Sequence, residues 1–324
     1  MKWWSCVPAV VLVAAAACSP PAVPGTRSSG APQLPAHIRI GAKEGNRVTI
    51  RKVPFEEYVQ ATALSEFAPP AGDAATVERM LEVQAIIART YALAQLGRHG
   101  ADGFDLCSTT HCQLYDPSRL QTSRWAAQSK GAVQQTAGRV LWYAGAAASA
   151  VFHADCGGRT SRADDVWGGV GRPYLTSILD DGPAERAHSA WKYEATRTAV
   201  LRALNADPRT RVGVRLEGLQ VMERDGAGRI ERIALHGASE RIVRGEEVRE
   251  VLSAAFGARS IRSTRFDVAP LGQTFVFEGR GFGHGVGLCQ AGALARIRAG
   301  QKLSTILQTY FPGTKIVTLR RPAR

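Results

Sequence analysis

Between Gly97 and Pro117 the chain sets Cys107, His111 and Cys112 close together, with His99 a short way ahead. Thiolate and imidazole are the usual ligands of zinc, so this loop admits a metal with His99 as fourth ligand. The spacing is not that of a standard zinc finger, and a Cys107–Cys112 disulfide or two free thiols fit it equally. A metal held by three or four side chains has little room for an activated water, so its role would be structural. A second stretch, Gly279–Ala293, carries glycine at five of its first nine positions, with His284 among them. Glycines at that density imply a backbone at positive φ or the close approach of something large, and a ligand is the expected visitor. A dinucleotide fingerprint is excluded, because it needs an acidic residue about 20 positions on and none follows this run. His284 is expected to touch that ligand or to shape the cleft. A third stretch, Phe152–Thr160, holds His153 and Cys156 ahead of Gly157-Gly158, and is expected to line the cleft opposite the glycine run. A hydrogen-bonded structural role suits His153 as well. Cys156 and Cys289 would pair if their segments meet.

The elements that must position these groups follow from periodicity. His37–Ile40 and Arg47–Ile50 alternate apolar and polar residues and read as paired strands joined at Glu44-Gly45-Asn46. Pro54 suits a first helical turn. Phe55, Tyr58, Val59 and Thr62 then recur at helical spacing, which leaves Glu66 at the helix end before Pro69-Pro70. A longer helix is expected from about Ala75 to Leu96, and a strand at Val140–Tyr143. Glu56 and Glu57 read as exposed helix surface. Helices at Thr198–Leu204 and Glu246–Ala255 and strands at Arg215–Val221 and Ile230–Leu235 make residues 196–268 a smaller auxiliary α/β lobe. A last helix is expected near Leu303–Tyr310. The fold class is α+β: one mixed domain over residues 36–320 with a helical core.

The N-terminus points out of the cytoplasm. Val7–Ala17 is an apolar run of signal-peptide length behind a single lysine. It is too short to span a bilayer, which takes roughly 20 residues. Ala15-Ala16-Ala17-Cys18 looks like a lipobox, with residues 1–17 removed and Cys18 lipidated to anchor the protein to a membrane; an ordinary cleaved leader is the alternative. Residues 18–35 are rich in Pro, Ser, Gly and Ala and read as a flexible linker. The net charge of +13 over 324 residues favours anionic partners such as an acidic wall polymer. The arginines are scattered rather than blocked, which argues against nucleic acid.

Taken together, Val53–Val59 with Ser65-Glu66-Phe67, Gln84–Ala92, Phe104–Tyr115, Phe152–Thr160, Asp165–Gly169, Pro173–Leu175 and the glycine run resemble the SpoIID family. This family comprises bacterial cell-wall lytic transglycosylases and includes the LytB amidase enhancers. The resemblance runs from about Ile38 to Val317. It implies peptidoglycan glycan strands as substrate, typically stripped of stem peptides by a partner amidase, and a 1,6-anhydromuramic product. It maps the catalytic acid onto Glu66, which Leu64, Phe67 and two prolines flank, so that desolvation raises its pKa. For such a substrate, Gln113, Tyr115 and Gln290 are polar groups expected to bind sugar hydroxyls or acetamides, and His153, Gly157, Gly158 and His284 are expected to bind from the cleft wall; Trp167 and Tyr174 either stack on sugars or, as the default, pack in the core. No cofactor is required for such catalysis. Some relatives carry zinc at a loop like that of Cys107, His111 and Cys112. The rival readings are a non-catalytic, wall-binding amidase enhancer and a hydrolase that uses Asp105, Asp155 or Asp165 as a second carboxylate.

Overall fold

A computed structural model describes residues 33–44, 47–67 and 73–320. The expected leader, Cys18, most of the linker, Gly45-Asn46 and Pro69-Pro70 lie outside the described residues. β1 (His37–Glu44) and β2 (Arg47–Pro54) form an antiparallel hairpin in unbroken register from His37↔Pro54 to Glu44↔Arg47. Ile38 and Ile40 point into the core while Arg39 faces out, as their alternation predicts. The linker is shorter than expected: Leu34 is buried, and its N–H bonds the Arg320 carbonyl at 3.0 Å.

Pro54 ends β2 at φ −57° and leads directly into α1 (Phe55–Glu66). α2 (Ala74–Ala94) starts at Asp73, whose side chain accepts from the Thr76 N–H at 2.8 Å and caps the helix. Fourteen of the 21 residues of α2 are buried, so it is the central helix of the fold. Its alanines let neighbours approach closely. Those neighbours are α1, α4 (Ala126–Gln135), α8 (Gln290–Arg298), α9 (Leu303–Tyr310) and the strands β4 (Arg139–Tyr143) and β5 (Ala146–Ala147). Burying Ile86 and Ile87 here contributes about 1.5–3 kcal/mol each. Glu56 is not the exposed surface expected of it. The guanidinium of Arg89, wholly buried in α2, donates to both its carboxylate oxygens at 2.9 and 2.7 Å.

Between α2 and α4 lie β3 (Leu106–Cys107), parallel to β1, and α3 (Arg119–Thr122). β6 (Phe152–His153) pairs in parallel with β13 (Leu288–Cys289), which docks the glycine run beside residues 151–157. α5 (Ala163–Trp167) follows. β7 (Ala190–Thr196), α6 (Arg197–Asn205), β8 (Leu216–Arg224), β9 (Ile230–Gly237), β10 (Arg241–Arg244), α7 (Gly245–Phe256), β11 (Phe266–Leu271) and β12 (Thr274–Arg280) form two three-stranded sheets with two helices. Their own apolar core takes in Trp191 on β7 and Phe277 on β12, at both sides of residues 196–268. β14 (Lys315–Thr318) returns antiparallel to β4. The architecture is mixed α+β. No helix among the described residues is long and apolar enough to cross a membrane.

Candidate active site around Glu66

Glu66 is the last residue of α1 and is partly buried. The Leu114 N–H donates to its Oε1 at 2.5 Å. Burial pushes its pKa up to about 7, against the Leu114 bond, which favours the charged form. The loop that supplies Leu114 is stitched to α1 on both sides. Tyr58 Oη donates to Gln113 Oε1 at 3.0 Å, and the Asp116 N–H donates to Ser65 Oγ at 3.1 Å. From the end of the glycine run, Gln290 Nε2 donates to the Glu66 carbonyl at 3.3 Å and to Gln84 Oε1 at 3.2 Å. Three segments far apart in sequence therefore meet at one residue, whose carboxyl has a pKa near neutrality. Such a group can give a proton and then take one back.

Just ahead of Leu114, the ligand atoms of His99, Cys107, His111 and Cys112 all lie within 4.8 Å of one another. Cys112 Sγ is 3.3 Å from His99 Nε2 and 3.7 Å from His111 Nδ1, and Cys107 Sγ is 3.6 Å from His111 Nδ1. Asp102 Oδ2 lies 3.3 Å from His99 Nδ1, the outer partner that orients a ligating imidazole. The Cys107 N–H donates to Cys112 Sγ at 3.3 Å. The donor set and its spacing fit a tetrahedral zinc. Arg98, 3.3 Å from His111 Nε2, opposes it, because a metal on Nδ1 leaves Nε2 protonated. Among the described residues, Cys107, Cys112, Cys156 and Cys289 are all unbridged.

The glycine run differs from expectation. Gly281, Gly283, Gly285 and Gly287 all have positive φ, but what approaches them is the protein itself. A Cβ on Gly287 would overlap the Val151 carbonyl, one on Gly283 would meet the His153 Cβ, and one on Gly285 would overlap the Arg229 guanidinium. Arg229 is 1% exposed and donates to the Gly283 and Cys156 carbonyls at 3.1 and 2.9 Å. His284 is committed to backbone: Nε2 lies 2.9 Å from the Phe152 carbonyl, and Nδ1 accepts the Val286 N–H at 3.1 Å. Its ring packs against Trp167, centroids 4.9 Å apart, and burial keeps it neutral.

Several expected sugar contacts face inward. Gln113 is 1% exposed, His153 4% and Tyr115 7%. Tyr115 stacks on Tyr58, and His153 Nδ1 lies 3.1 Å from the Val286 carbonyl. In this arrangement their bonds and ring contacts hold the loop and the strand. Gln290 is nearly buried too and acts on the Glu66 backbone. Gly157 is packed against the Arg280 backbone, whereas Gly158 is half-buried. Tyr174 is a core residue whose Oη accepts the Ser149 N–H, while Trp167 is exposed. Asp105 is tied to Arg39 at 3.0 Å. Asp155 accepts from His188, Ser189 and Gly157, bonds that outweigh its burial and hold it down at about 2.

The sequence reading missed Leu114, Gln84, Arg229, His188 and Asp180. Leu114 and Gln84 act through a backbone amide and a buried acceptor, which residue type does not advertise. Arg229 was one among many arginines. His188 and Asp180 lie outside every motif, and only the tertiary fold brings them to Cys156.

Residues 43–143 match the family model described as stage II sporulation protein, SpoIID. Residues 184–287 match a domain of unknown function, DUF8618. Stage II sporulation protein D of Bacillus subtilis (strain 168) is 26% identical over 89% of this chain and 82% of its own length. Its namesake from Bacillus amyloliquefaciens is 26% identical over 83% and 75%. The amidase enhancer of Bacillus subtilis (strain 168) is 25% identical over 74% of this chain but 38% of its own length.

Proposed function

We propose that this chain, in which residues 43–143 match the SpoIID family model, acts on the bacterial cell wall, as a lytic transglycosylase of peptidoglycan glycan strands with Glu66 as its acid and base. The observation that carries this reading is the Glu66 carboxyl, lifted to about 7 and held by the Leu114 amide. In the first half-reaction the Glu66 proton passes to the oxygen bridging muramic acid and glucosamine as the bond from that oxygen to the muramic C1 breaks. In the second, the Glu66 carboxylate takes the proton of the muramic C6 hydroxyl. The C6 oxygen bonds to C1, the 1,6-anhydro ring closes, and Glu66 is protonated again. No water is consumed, so one carboxylate suffices, in contrast to a hydrolase. Asp105 and Asp155 are engaged in ion pairs and hydrogen bonds, which disfavours them as a second carboxylate.

The substrate is glycan freed of stem peptides, and a cell-wall amidase is the partner that frees it. His99, Cys107, His111 and Cys112 would hold a structural zinc, which would cross-link the loop ahead of Leu114; catalysis itself needs no cofactor. The protein belongs to the cell envelope, anchored to a membrane by lipid on Cys18, and its net charge of +13 helps retain an anionic polymer.

A second reading, a wall-binding amidase enhancer without catalysis of its own, is favoured by the relative of that name, which matches 74% of the chain. Digestion of purified peptidoglycan, with and without prior amidase treatment, separates the two when products are read by mass spectrometry. Anhydromuramic products that vanish in Glu66→Gln are expected. Wall binding by a folded protein that yields no product would instead support the enhancer.

A further inference from the structure

A second set of sulfur and imidazole groups lies buried away from Glu66. The parallel pairing of β6 with β13 brings Cys156, just beyond β6, against Cys289, the last residue of β13. His188, after the 3-10 turn Gly182–Ala187, completes the group. Ligand atoms of Cys156, Cys289, His188 and Asp155 all lie within 4.8 Å of one another. Both cysteines are 0% exposed, and the His188 side chain is 1% exposed.

The hydrogen bonds assign a role to each group. Asp155 has no oxygen to spare. Its Oδ1 accepts the Gly157 N–H at 2.8 Å and faces His188 Nδ1 at 2.7 Å, and its Oδ2 accepts the Ser189 N–H and Oγ at 2.8 and 2.9 Å. It therefore orients His188 with the proton on Nδ1, leaving the Nε2 lone pair for another partner. That nitrogen is 3.7 Å from Asp180 Oδ2, and Cys156 Sγ lies at nearly equal distances from the two ring nitrogens, 3.9 Å from Nε2 and 3.8 Å from Nδ1. Asp180 Oδ2 is in turn 3.4 Å from Cys156 Sγ and faces the Tyr310 hydroxyl at 2.9 Å, while Oδ1 accepts from Arg296 at 3.0 Å and lies 2.8 Å from the same hydroxyl. The sulfurs are themselves acceptors. Cys156 Sγ takes the Gly158 N–H at 3.3 Å, and Cys289 Sγ takes those of Cys156 and Gly292 at 3.3 and 3.4 Å. Cys289 is also the N-cap of α8, where the helix dipole favours negative charge. Backbone donors and a helix terminus aimed at sulfur stabilise thiolates, the ligand form of cysteine. A disulfide carries no such charge and would need the sulfurs at about 2.05 Å.

We propose that Cys156, Cys289, His188 Nε2 and Asp180 Oδ2 form a second, structural site for a zinc-class divalent cation, separate from the His99–Cys107–His111–Cys112 loop. Two thiolates, one imidazole and one carboxylate are a borderline-soft donor set that suits zinc. Complete burial and four protein donors leave no open coordination position, so the site binds no substrate. It ties the segments that end at Cys156 and His188 to the start of α8, where Gln290 contacts Glu66.

The test is metal content of the purified full chain, kept reduced, by plasma mass spectrometry, with cobalt(II) as a spectroscopic probe. The double variant Cys107→Ala/Cys112→Ala is expected to keep one equivalent of zinc and to give thiolate–cobalt bands. Adding Cys289→Ala or His188→Ala should remove both. If the double variant does not fold, as judged by circular dichroism, Cys289→Ala alone in the otherwise native chain should lose one equivalent. The proposal is overturned by a folded double variant without metal, by metal content indifferent to Cys289 and His188, or by a Cys156–Cys289 disulfide in an unreduced peptide map of protein prepared without added reductant.

Discussion

The Leu114 amide donates to Glu66 Oε1 at 2.5 Å across 48 positions of sequence. Burial raises the pKa of Glu66, which favours the protonated form. The amide bond stabilises the carboxylate and brings the balance to about 7. The group is then protonated often enough to act first and ionised easily enough to act second. Loop and helix thus share the tuning of one group.

A pH dependence follows. The acid step needs protonated Glu66, so kcat/KM should fall about tenfold per pH unit above pH 7. The stability effect has the same origin. The folded pKa of about 7 lies above the reference value of 4.5, so the native state binds the proton more tightly than the unfolded chain. Glu66 therefore costs little below pH 4.5 and destabilises increasingly as pH rises to 7. Glu66→Gln should leave urea stability unchanged at pH 4 and raise it by about 1–3 kcal/mol at pH 8. The same variant should lower kcat by at least about 100-fold. Equal stability differences at both pH values would contradict the raised pKa.

The loop of His99, Cys107, His111 and Cys112 gives a second prediction. If it holds zinc, chelation or His99→Ala loosens the backbone that ends in Leu114 and leaves Glu66 without its donor. Because that donor favours the carboxylate, its loss should move the alkaline limb of the rate profile upward, by about one pH unit, and lower kcat more than it raises KM. A mere loss of folded protein would scale the rate at every pH and leave the limb where it was. Titrating kcat/KM against pH in the chelated protein distinguishes the two.

The Arg89–Glu56 pair predicts a large stability effect away from the chemistry. Arg89 is 0% exposed and Glu56 is the partner that neutralises it. Glu56→Gln strands a buried guanidinium and should cost about 3–5 kcal/mol. The adjacent Glu57→Gln, on the exposed face, should stay within about 0.5 kcal/mol. Urea unfolding of both variants at pH 7 measures the contrast.

That contrast also marks what sequence could reveal. Periodicity located α1, α2, β4 and α9 nearly to the residue, because each buries one face at a regular spacing. It set Glu66 at a helix end, where the structure has it. It did not distinguish Glu56 from Glu57, because the difference lies in Arg89 on another helix. Nor could it tell that Gln113 and Tyr115 turn inward, since a polar loop residue looks the same whether it faces a sugar or a buried tyrosine. Glycine density at 279–287 reported close approach correctly but not what approaches, since a glycine accommodates a neighbouring strand as readily as a ligand.

Gly285 turns that last point into a measurement. Its φ is +82°, and a Cβ there would overlap the Arg229 guanidinium, which is buried and bonded to the Gly283 and Cys156 carbonyls. Gly285→Ala therefore combines left-handed strain of about 1–2 kcal/mol with displacement of a buried cation, and should cost about 3 kcal/mol or more. Gly272→Ala, in the turn between β11 and β12, is the control: φ is +57° and nothing lies within 4 Å of the added Cβ, so only the strain of about 1–2 kcal/mol applies. Urea unfolding should separate the two by at least about 1 kcal/mol. The displaced Arg229 also releases the Gly283 and Cys156 carbonyls, so Gly285→Ala should lower activity at temperatures where the variant is still folded, and Gly272→Ala should not. Equal stabilities would mean that Arg229 yields freely to the added methyl group.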